Sequence, residues 1–74
     1  MMKVAQLTIN PETDRLEHDG HPLFTGDCLE VLVVNGLSGR PEWIETRLEM
    51  ADDWYLVGLL GYQVNGLFAR MDLD

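Results

Sequence analysis

The chain has 74 residues, with 13 acidic against 5 basic side chains and a net charge of −8, and a chain of this size supports one small core. Its 46% apolar content excludes a disordered acidic tail, which combines high charge with low hydrophobicity. The scattered basic residues and the negative charge exclude direct binding to nucleic acid and to anionic membranes, because both attract clustered Lys and Arg.

The first third of the chain contains a predicted hairpin. Asp19-Gly20 is the dipeptide typical of a two-residue type I′ turn, and it lies in the middle of residues 15–24. Pro22 has no backbone N–H, so we expect the second arm of this hairpin at a sheet edge or in irregular structure. Residues 1–10 precede the hairpin and are predicted to form an extra N-terminal strand or arm.

The middle of the chain shows the two-residue periodicity of β-strands. Residues 28–34 are rich in β-branched side chains, and residues 43–50 alternate between a face of Ile, Thr, Leu and Met and a face of Trp, Glu and Arg. Such alternation predicts strands with one buried and one wet face. Residues 54–59 are apolar on both faces, which leaves their core face open. Residues 67–71 are predicted to form the last strand.

The alternation also predicts a register and a core. The predicted pairs in a hairpin around the 35–42 loop are Val34 with Trp43, Glu30 with Arg47, and Leu29 with Leu48. The predicted core consists of Leu23, Leu29, Val31, Ile44, Leu48, Met50, Val57 and Met71. This register would put the charged pair on the wet face and the aliphatic pair in the core.

Several short strands with short connections favour a small barrel. The elements are a long irregular hairpin, a strand, a loop, a strand, a tight turn, a strand, a short turn and a last strand, an order typical of an SH3-like barrel. The Gly26-Asp27 turn, which leads from the hairpin into the next strand, agrees with this assignment. We therefore predict an all-β fold, a small five-stranded SH3-like barrel, in a single domain over residues 1–74.

Four segments together resemble a known family of small bacterial proteins. They are Arg15-Leu16-Glu17, Leu23-x-x-Gly26-Asp27-x-Leu29-Glu30-Val31-Leu32, Trp43-x-x-Thr46-Arg47-x-Glu49 and Trp54-Tyr55-Leu56. The family is catalogued as a domain of unknown function, and the resemblance covers roughly residues 13–72. It implies a small barrel and a bacterial source, and it implies no catalytic residues. The Asn35–Pro41 loop is longer than this resemblance leads us to expect.

The residue types that catalyse reactions or bind metals are few. Two His and one Cys fall short of the N and S ligands that a zinc site requires, so His18 and His21 are expected at a solvated hairpin tip. Cys28 is flanked by acidic residues, which oppose thiolate formation, and is expected to be a structural thiol. Glu45 and Glu49 are expected to be solvated, which argues against acid–base chemistry. We therefore expect no enzyme activity, no metal and no cofactor.

The aromatic residues indicate a binding surface instead. Trp43 falls on the predicted wet face of its strand, together with Glu45 and Arg47. Leu32 and Val34 fall on the same side of the neighbouring strand. An exposed Trp with aliphatic neighbours and a charged rim resembles a protein interface. We predict that a protein partner or a second copy covers these residues; the other interpretation is that the N-terminal segment or the coiling of the barrel covers Trp43.

The sequence thus predicts an uncharacterised bacterial protein that acts as a non-catalytic protein-interaction module or a small homo-oligomer. The alternative is an acidic nucleic-acid mimic that inhibits a DNA-binding protein, although Arg47 interrupts the acidic row that such a mimic requires. A third interpretation, an oligonucleotide-binding barrel that stacks bases on aromatic rings, lacks a basic groove. Because the start of the chain lacks the apolar stretch of a signal peptide and one Cys cannot form an internal disulfide, we expect a cytoplasmic protein.

Overall fold

The computed structural model describes residues 2–59 and 61–72 and contains seven β-strands in one antiparallel sheet. In chain order the strands are β1 (Met2–Ile9), β2 (Leu16–His18), β3 (His21–Pro22), β4 (Cys28–Val34), β5 (Pro41–Met50), β6 (Trp54–Leu56) and β7 (Phe68–Asp72). Their spatial order is β3-β2-β1-β7-β4-β5-β6, so the first strand lies beside the last. Within the described residues, no helix has the length and apolar character needed to cross a membrane.

The sheet curls into a half-barrel whose two edges are the short strands β3 and β6. These strands have two and three residues, and short edges with Pro22 in one of them limit pairing with other chains. The all-β prediction is confirmed. The number of strands is seven rather than five, because the N-terminal segment forms β1 and both arms of the first hairpin are strands. Within the described residues the sheet is open rather than closed into a barrel.

The hairpin β2–β3 has the predicted two-residue turn. Asp19 and Gly20 both have positive φ angles, 53° and 79°, and His18 lies directly opposite His21, as a type I′ turn requires. The Lys3 ammonium of β1 forms an ion pair with the Asp19 carboxylate. The hydrogen bond and the positive charge of Lys3 lower the pKa of Asp19 below its usual value. The hairpin tip is therefore tied to the N-terminal strand.

Strands β4 and β5 pair as predicted, but their partners are shifted by two residues. The observed pairs are Cys28–Arg47, Leu29–Thr46, Glu30–Glu45, Leu32–Trp43 and Val34–Pro41. The predicted pairs Val34–Trp43, Glu30–Arg47 and Leu29–Leu48 are therefore wrong. Because the shift is an even number of residues, each side chain stays on its predicted face of the sheet. The cause of the shift is the connecting loop, which spans residues 35–40 and not 35–42.

Asn35 sets the length of this loop. Its backbone N–H donates to the Arg40 carbonyl and its own carbonyl accepts from the Gly39 N–H, both at 2.8 Å. Its side-chain Oδ1 accepts the N–H groups of Leu37 and Ser38 at 2.8 and 3.1 Å. Gly39 has a φ of 71°, a left-handed conformation that Gly adopts without steric cost. These bonds close the loop so that β5 begins directly after Arg40.

The loop between β1 and β2, residues 10–15, has the same construction. The Asn10 N–H donates to the Arg15 carbonyl at 2.9 Å, the Asp14 N–H donates to the Asn10 carbonyl at 2.8 Å, and Asp14 has a φ of 59°. In both loops the Asn side-chain amide donates to a Glu seven residues later, at 3.1 Å. The shared pattern Asn-x-x-Ser/Thr-Asp/Gly-Arg-x-Glu begins at residues 10 and 35. The expectation from the sequence that the chain has no internal repeat is therefore wrong for these two loops.

The core lies on the inner side of the half-barrel. Its buried apolar residues are Leu7, Leu16, Leu23, Leu29, Val31, Val33, Leu48, Leu56, Val64, Ala69 and Met71. Of the predicted core, Ile44 is only partly buried and packs against this cluster. Met50 and Val57 are 45% and 41% exposed, so their assignment to the core is wrong. Met50 lies at the end of β5, beyond the core, and Val57 follows the end of β6.

His18 is buried in this core and not solvated at the hairpin tip. Its side chain is fully inaccessible, because it alternates inward with Leu16 along β2. Its Nε2 lies 2.8 Å from the carbonyl oxygen of Ala69 and donates to it, since a carbonyl can only accept. The Nδ1 atom has no hydrogen-bond partner among the described residues. The predicted solvation is thus confirmed for His21, which is exposed, and wrong for His18.

Candidate interaction surface

The central strands β1, β7, β4 and β5 carry an outer face on the side opposite the core. Backbone pairing arranges the outward side chains in rows across these strands. The first row, here called the apolar row, contains Phe68, Leu32 and Trp43, with the polar Gln6 at its β1 end. The second row, here called the charged row, contains Arg70, Glu30 and Glu45, with the apolar Val4 at its β1 end. We define the outer face as these two rows together with Val34 at one end and Met2, Asp72, Cys28 and Arg47 at the other.

Apolar side chains on the outer face remain accessible to solvent. Val4, Val34 and Phe68 are 55%, 62% and 50% exposed, whereas Leu32 and Trp43 are half-buried. Exposed apolar patches on a monomer are often functional. The outer face therefore has the apolar centre of an interaction surface.

Trp43 is held in place by its neighbours. The Arg70 guanidinium carbon lies 4.5 Å from the centre of the Trp43 ring, a geometry that gives a favourable cation–π contact. Arg70 also forms an ion pair with Glu30, the residue opposite it on β4. Leu32 lies directly opposite Trp43 on β4, the strand between β5 and β7. These contacts preorganise the indole ring, so a partner that binds it need not order it first.

Glu45 is the outward carboxylate at the end of the charged row. It lies directly opposite Glu30, and like charges in this position destabilise a sheet. Glu30 is neutralised by Arg70, and the neighbouring Arg47 pairs with Glu49 at 2.8 Å. Glu45 is exposed and makes no ion pair with the bases of the described residues. Its negative charge is therefore available to a partner.

A shallow depression of about 250 Å³ lies at the end of the outer face, lined by Met2, Cys28, Leu29, Glu30, Glu45, Arg70, Met71 and Asp72. The Cys28 side chain is exposed in this depression, and its Sγ lies 3.9 Å from the Gly26 carbonyl oxygen. Because it is exposed, this thiol does not pack in the core. No group of three or more His, Cys, Asp or Glu with metal-binding geometry occurs in residues 2–59 and 61–72. Two of the potential metal ligands in the sequence, His18 and Cys28, lie on opposite faces of the sheet, with His18 in the core and Cys28 on the outer face.

The structure places all the predicted site residues on one surface. Leu32, Val34, Trp43, Glu45 and Arg47 all belong to the outer face. That a partner binds them stays a prediction. Sequence analysis misses Phe68, Arg70 and Val4. The alternation of Phe68 and Arg70 with the buried Ala69 is a signal that could have found the first two, whereas the position of Val4 depends on the long-range pairing of β1 with β7.

A second aromatic cluster lies away from the outer face. The Arg15 guanidinium lies 4.6 Å from the centre of the Phe24 ring and 5.8 Å from that of Trp54. Arg15 also donates to the Leu23 carbonyl at 2.8 Å. This arginine therefore ties the first hairpin to β6, and the cluster has a structural explanation. Phe24 is 53% exposed, which makes it a useful reference for Phe68.

Comparison with known proteins identifies the family. The family model described as a domain of unknown function, DUF5348, matches residues 5–71. The chain belongs to this family. This match begins at residue 5, whereas the resemblance noted in the sequence begins at about residue 13, so the match also includes most of β1. The family description assigns no activity.

The fold is also similar to a solved structure. A crystal structure of a protein from the bacterium Ruminococcus gnavus matches with a TM-score of 0.73 and 34% sequence identity, covering 93% of this chain and all of that one. A search of curated proteins gives no match. The comparisons therefore place the chain in a family of unknown function that is similar to a bacterial protein of known structure.

Proposed function

We propose that this protein is a non-catalytic interaction module that binds a cytoplasmic protein through its outer face. The observation that carries the proposal is the row of Phe68, Leu32 and Trp43, with Val34 beside it, left accessible on the centre of a sheet whose other side forms the core. Burying exposed apolar area is the main driving force of protein association. Trp43 lies at the end of this row and is held in place by its neighbours, and Trp is enriched among the residues that dominate binding energy at interfaces.

The scaffold supports this role. We propose that the half-barrel is an SH3-like barrel opened between β3 and β6, because the first hairpin, the Gly26-Asp27 turn and β4 follow one another in the order of that fold. Small barrels of this type present binding surfaces on rigid strands, so little conformational entropy is lost on binding. Loops 10–15 and 35–40 are closed by their Asn residues, which adds to this rigidity.

The alternative, an acidic nucleic-acid mimic, is less well supported. A mimic of a phosphate backbone requires a regular row of negative charges. On the outer face, Arg47 and Arg70 lie among the carboxylates, and the centre of the face is apolar. The net charge of −8 is the one feature that favours the alternative.

The proposal is tested with the matched variants Phe68→Ala and Phe24→Ala. Both residues are about half exposed, at 50% and 53%, but only Phe68 lies on the outer face. Each variant is immobilised and exposed to soluble protein from a bacterium that encodes this family, and thermal melting is measured in parallel. We expect Phe68→Ala to lose at least about tenfold in partner affinity, as for an interface hot spot, and Phe24→Ala to bind like the wild type.

The result that contradicts the proposal is equally specific. If Phe68→Ala and Phe24→Ala retain the same partners with the same affinity, the outer face is not the contact surface. If Phe68→Ala lowers the melting temperature by ten degrees or more, its loss of binding reflects unfolding, and Val34→Ser replaces it. Val34 is 62% exposed at the end of β4, where a smaller polar side chain leaves the core intact.

A further inference from the structure

We propose that the partner of the outer face is a cationic amphipathic protein segment, with an apolar anchor for Phe68 and Trp43 and a Lys or Arg for Glu45. This inference rests on the proposed function and specifies the chemistry of its partner. Two independent features carry it: the exposed apolar side chains of the outer face and the negative charge of Glu45 beside them.

The outer face has a carboxylate, that of Glu45, that a cation from a partner can neutralise. Its two bases are already paired within the chain, Arg70 with Glu30 and Arg47 with Glu49. Glu45 makes no ion pair with any base of residues 2–59 and 61–72. The chain as a whole carries a charge of −8, which attracts a positive segment over the distance of a Debye length, about 8 Å at physiological salt.

The spacing of the two rows defines the segment. Trp43 and Glu45 are two residues apart on β5, which separates neighbouring rows by about 7 Å. An apolar side chain and a Lys or Arg at positions i and i+4 of a helix, or i and i+2 of a strand, have a similar separation. A segment with this repeat can cover the apolar row and neutralise Glu45 at the same time. The shallow depression beside Glu45, about 250 Å³ in volume, accommodates the added cation.

A second copy of this chain meets these demands less well. Association of two copies brings together two charges of −8 and opposes itself by repulsion. Within the described part of the outer face, the partner copy has no base without an ion pair to offer to Glu45. Arg40 is exposed, but it lies in the 35–40 loop and not on this face. The electrostatics therefore favour a different, basic protein over a homodimer.

The test uses two synthetic amphipathic helical peptides of equal length, one of Leu and Lys and one of Leu and Glu. Each is titrated into the ¹⁵N-labelled full chain, and chemical shift changes are mapped onto the structure. The chain itself offers a matched pair of variants, Glu45→Gln and Asp52→Asn. Both remove one exposed carboxylate, but Asp52 lies in the turn between β5 and β6, so any nonspecific attraction weakens equally in both.

Of the two peptides, we expect only the Leu/Lys peptide to bind. The largest chemical shift changes are expected at residues 30–34, 43–47 and 68–70. Glu45→Gln weakens binding about two- to fivefold, as for an exposed ion pair, whereas Asp52→Asn weakens it less than about twofold. Raising the salt from about 50 to 300 mM lowers the affinity further, because it screens exposed charges. Phe68→Ala abolishes the shifts on the outer face.

Three results overturn the inference. The cationic segment is excluded as the partner if the Leu/Lys peptide does not bind at millimolar concentration, if the Leu/Glu peptide binds equally well, or if Glu45→Gln and Asp52→Asn have equal effects.

A sedimentation experiment then distinguishes failure of this inference from failure of the proposed function. If the free chain self-associates and Phe68→Ala abolishes this, the outer face is still an interface, with a second copy as its partner. If peptide shifts fall outside the outer face, the proposed surface itself is wrong.

Discussion

Replacement of Leu48 by Ala is the sharpest test of the core. Leu48 is fully buried in β5, and its side chain points inward opposite Leu56. Its backbone is fixed on the other side as well, because its N–H donates to Asp27 at 2.9 Å and its carbonyl accepts from Gly26 at 2.8 Å. This backbone cannot move inward to fill a cavity, so we expect a cost in the upper part of the range of about 2–5 kcal/mol known for buried Leu→Ala.

The expected change in melting follows from the size of the chain. A domain of this length has a free energy of unfolding of about 4–11 kcal/mol, and each kcal/mol shifts the melting temperature by about 4–8 °C. Leu48→Ala is therefore expected to lower the melting temperature by at least about 15 °C. The matched control is Met50→Ala on the same strand. Met50 is 45% exposed, and its loss is expected to cost less than about 1 kcal/mol.

Thermal denaturation followed by circular dichroism, together with urea titration, measures both variants. A melting temperature of Leu48→Ala within about 5 °C of the wild type would refute the assignment of Leu48 to a rigid core. Equal destabilisation by Leu48→Ala and Met50→Ala would refute the placement of the core boundary before Met50.

Three further predictions test the loops, the hairpin tip and the outer face. Asn35→Ala removes the two hydrogen bonds that the side chain accepts from Leu37 and Ser38 and the one that it donates to Glu42. The variant is expected to cost about 0.5–2 kcal/mol in urea unfolding, as for a lost helix cap, and an unchanged free energy of unfolding would contradict the role of Asn35. Lys3 lowers the pKa of Asp19, so the ion pair stabilises the folded chain at a pH above the unfolded-state pKa of this carboxyl, and the stabilisation is lost as the pH falls through the folded-state pKa. Lys3→Met is therefore expected to raise the pKa of Asp19 in an NMR titration. An unchanged pKa would refute the ion pair. In a Trp54→Phe background, Arg70→Ala is expected to leave the chain folded but to uncover the Trp43 ring, so quenching of Trp43 fluorescence by acrylamide is expected to increase; unchanged quenching would contradict the contact.

The faces of the strands are predictable from sequence, because period two is a local property. Residues 43–50 alternate in the sequence, and the structure places Trp43 and Glu45 outward and Leu48 inward. The register is not predictable in this way. It depends on Asn35, whose side chain closes the loop early, and only the comparison with Asn10 reveals the pattern.

Long-range pairing limits the prediction of the site. Val4 joins the outer face because β1 pairs with β7 at the opposite end of the chain, and no local pattern contains this information. His18 was the other difficulty: a His beside an Asp-Gly turn has the composition of a solvated tip, yet its position two residues after Leu16 directs it into the core. Strand periodicity decides the position of His18, and long-range pairing decides that of Val4.

The most direct measurement of the central claim follows the accessibility of Trp43 during binding. The chain has two Trp residues, so Trp54→Phe leaves Trp43 as the single fluorescent indole. On addition of the Leu/Lys peptide, we expect its emission to shift to shorter wavelength and its quenching by acrylamide to fall, because the peptide covers the outer face. Saturating binding with unchanged emission and unchanged quenching of Trp43 would contradict the account.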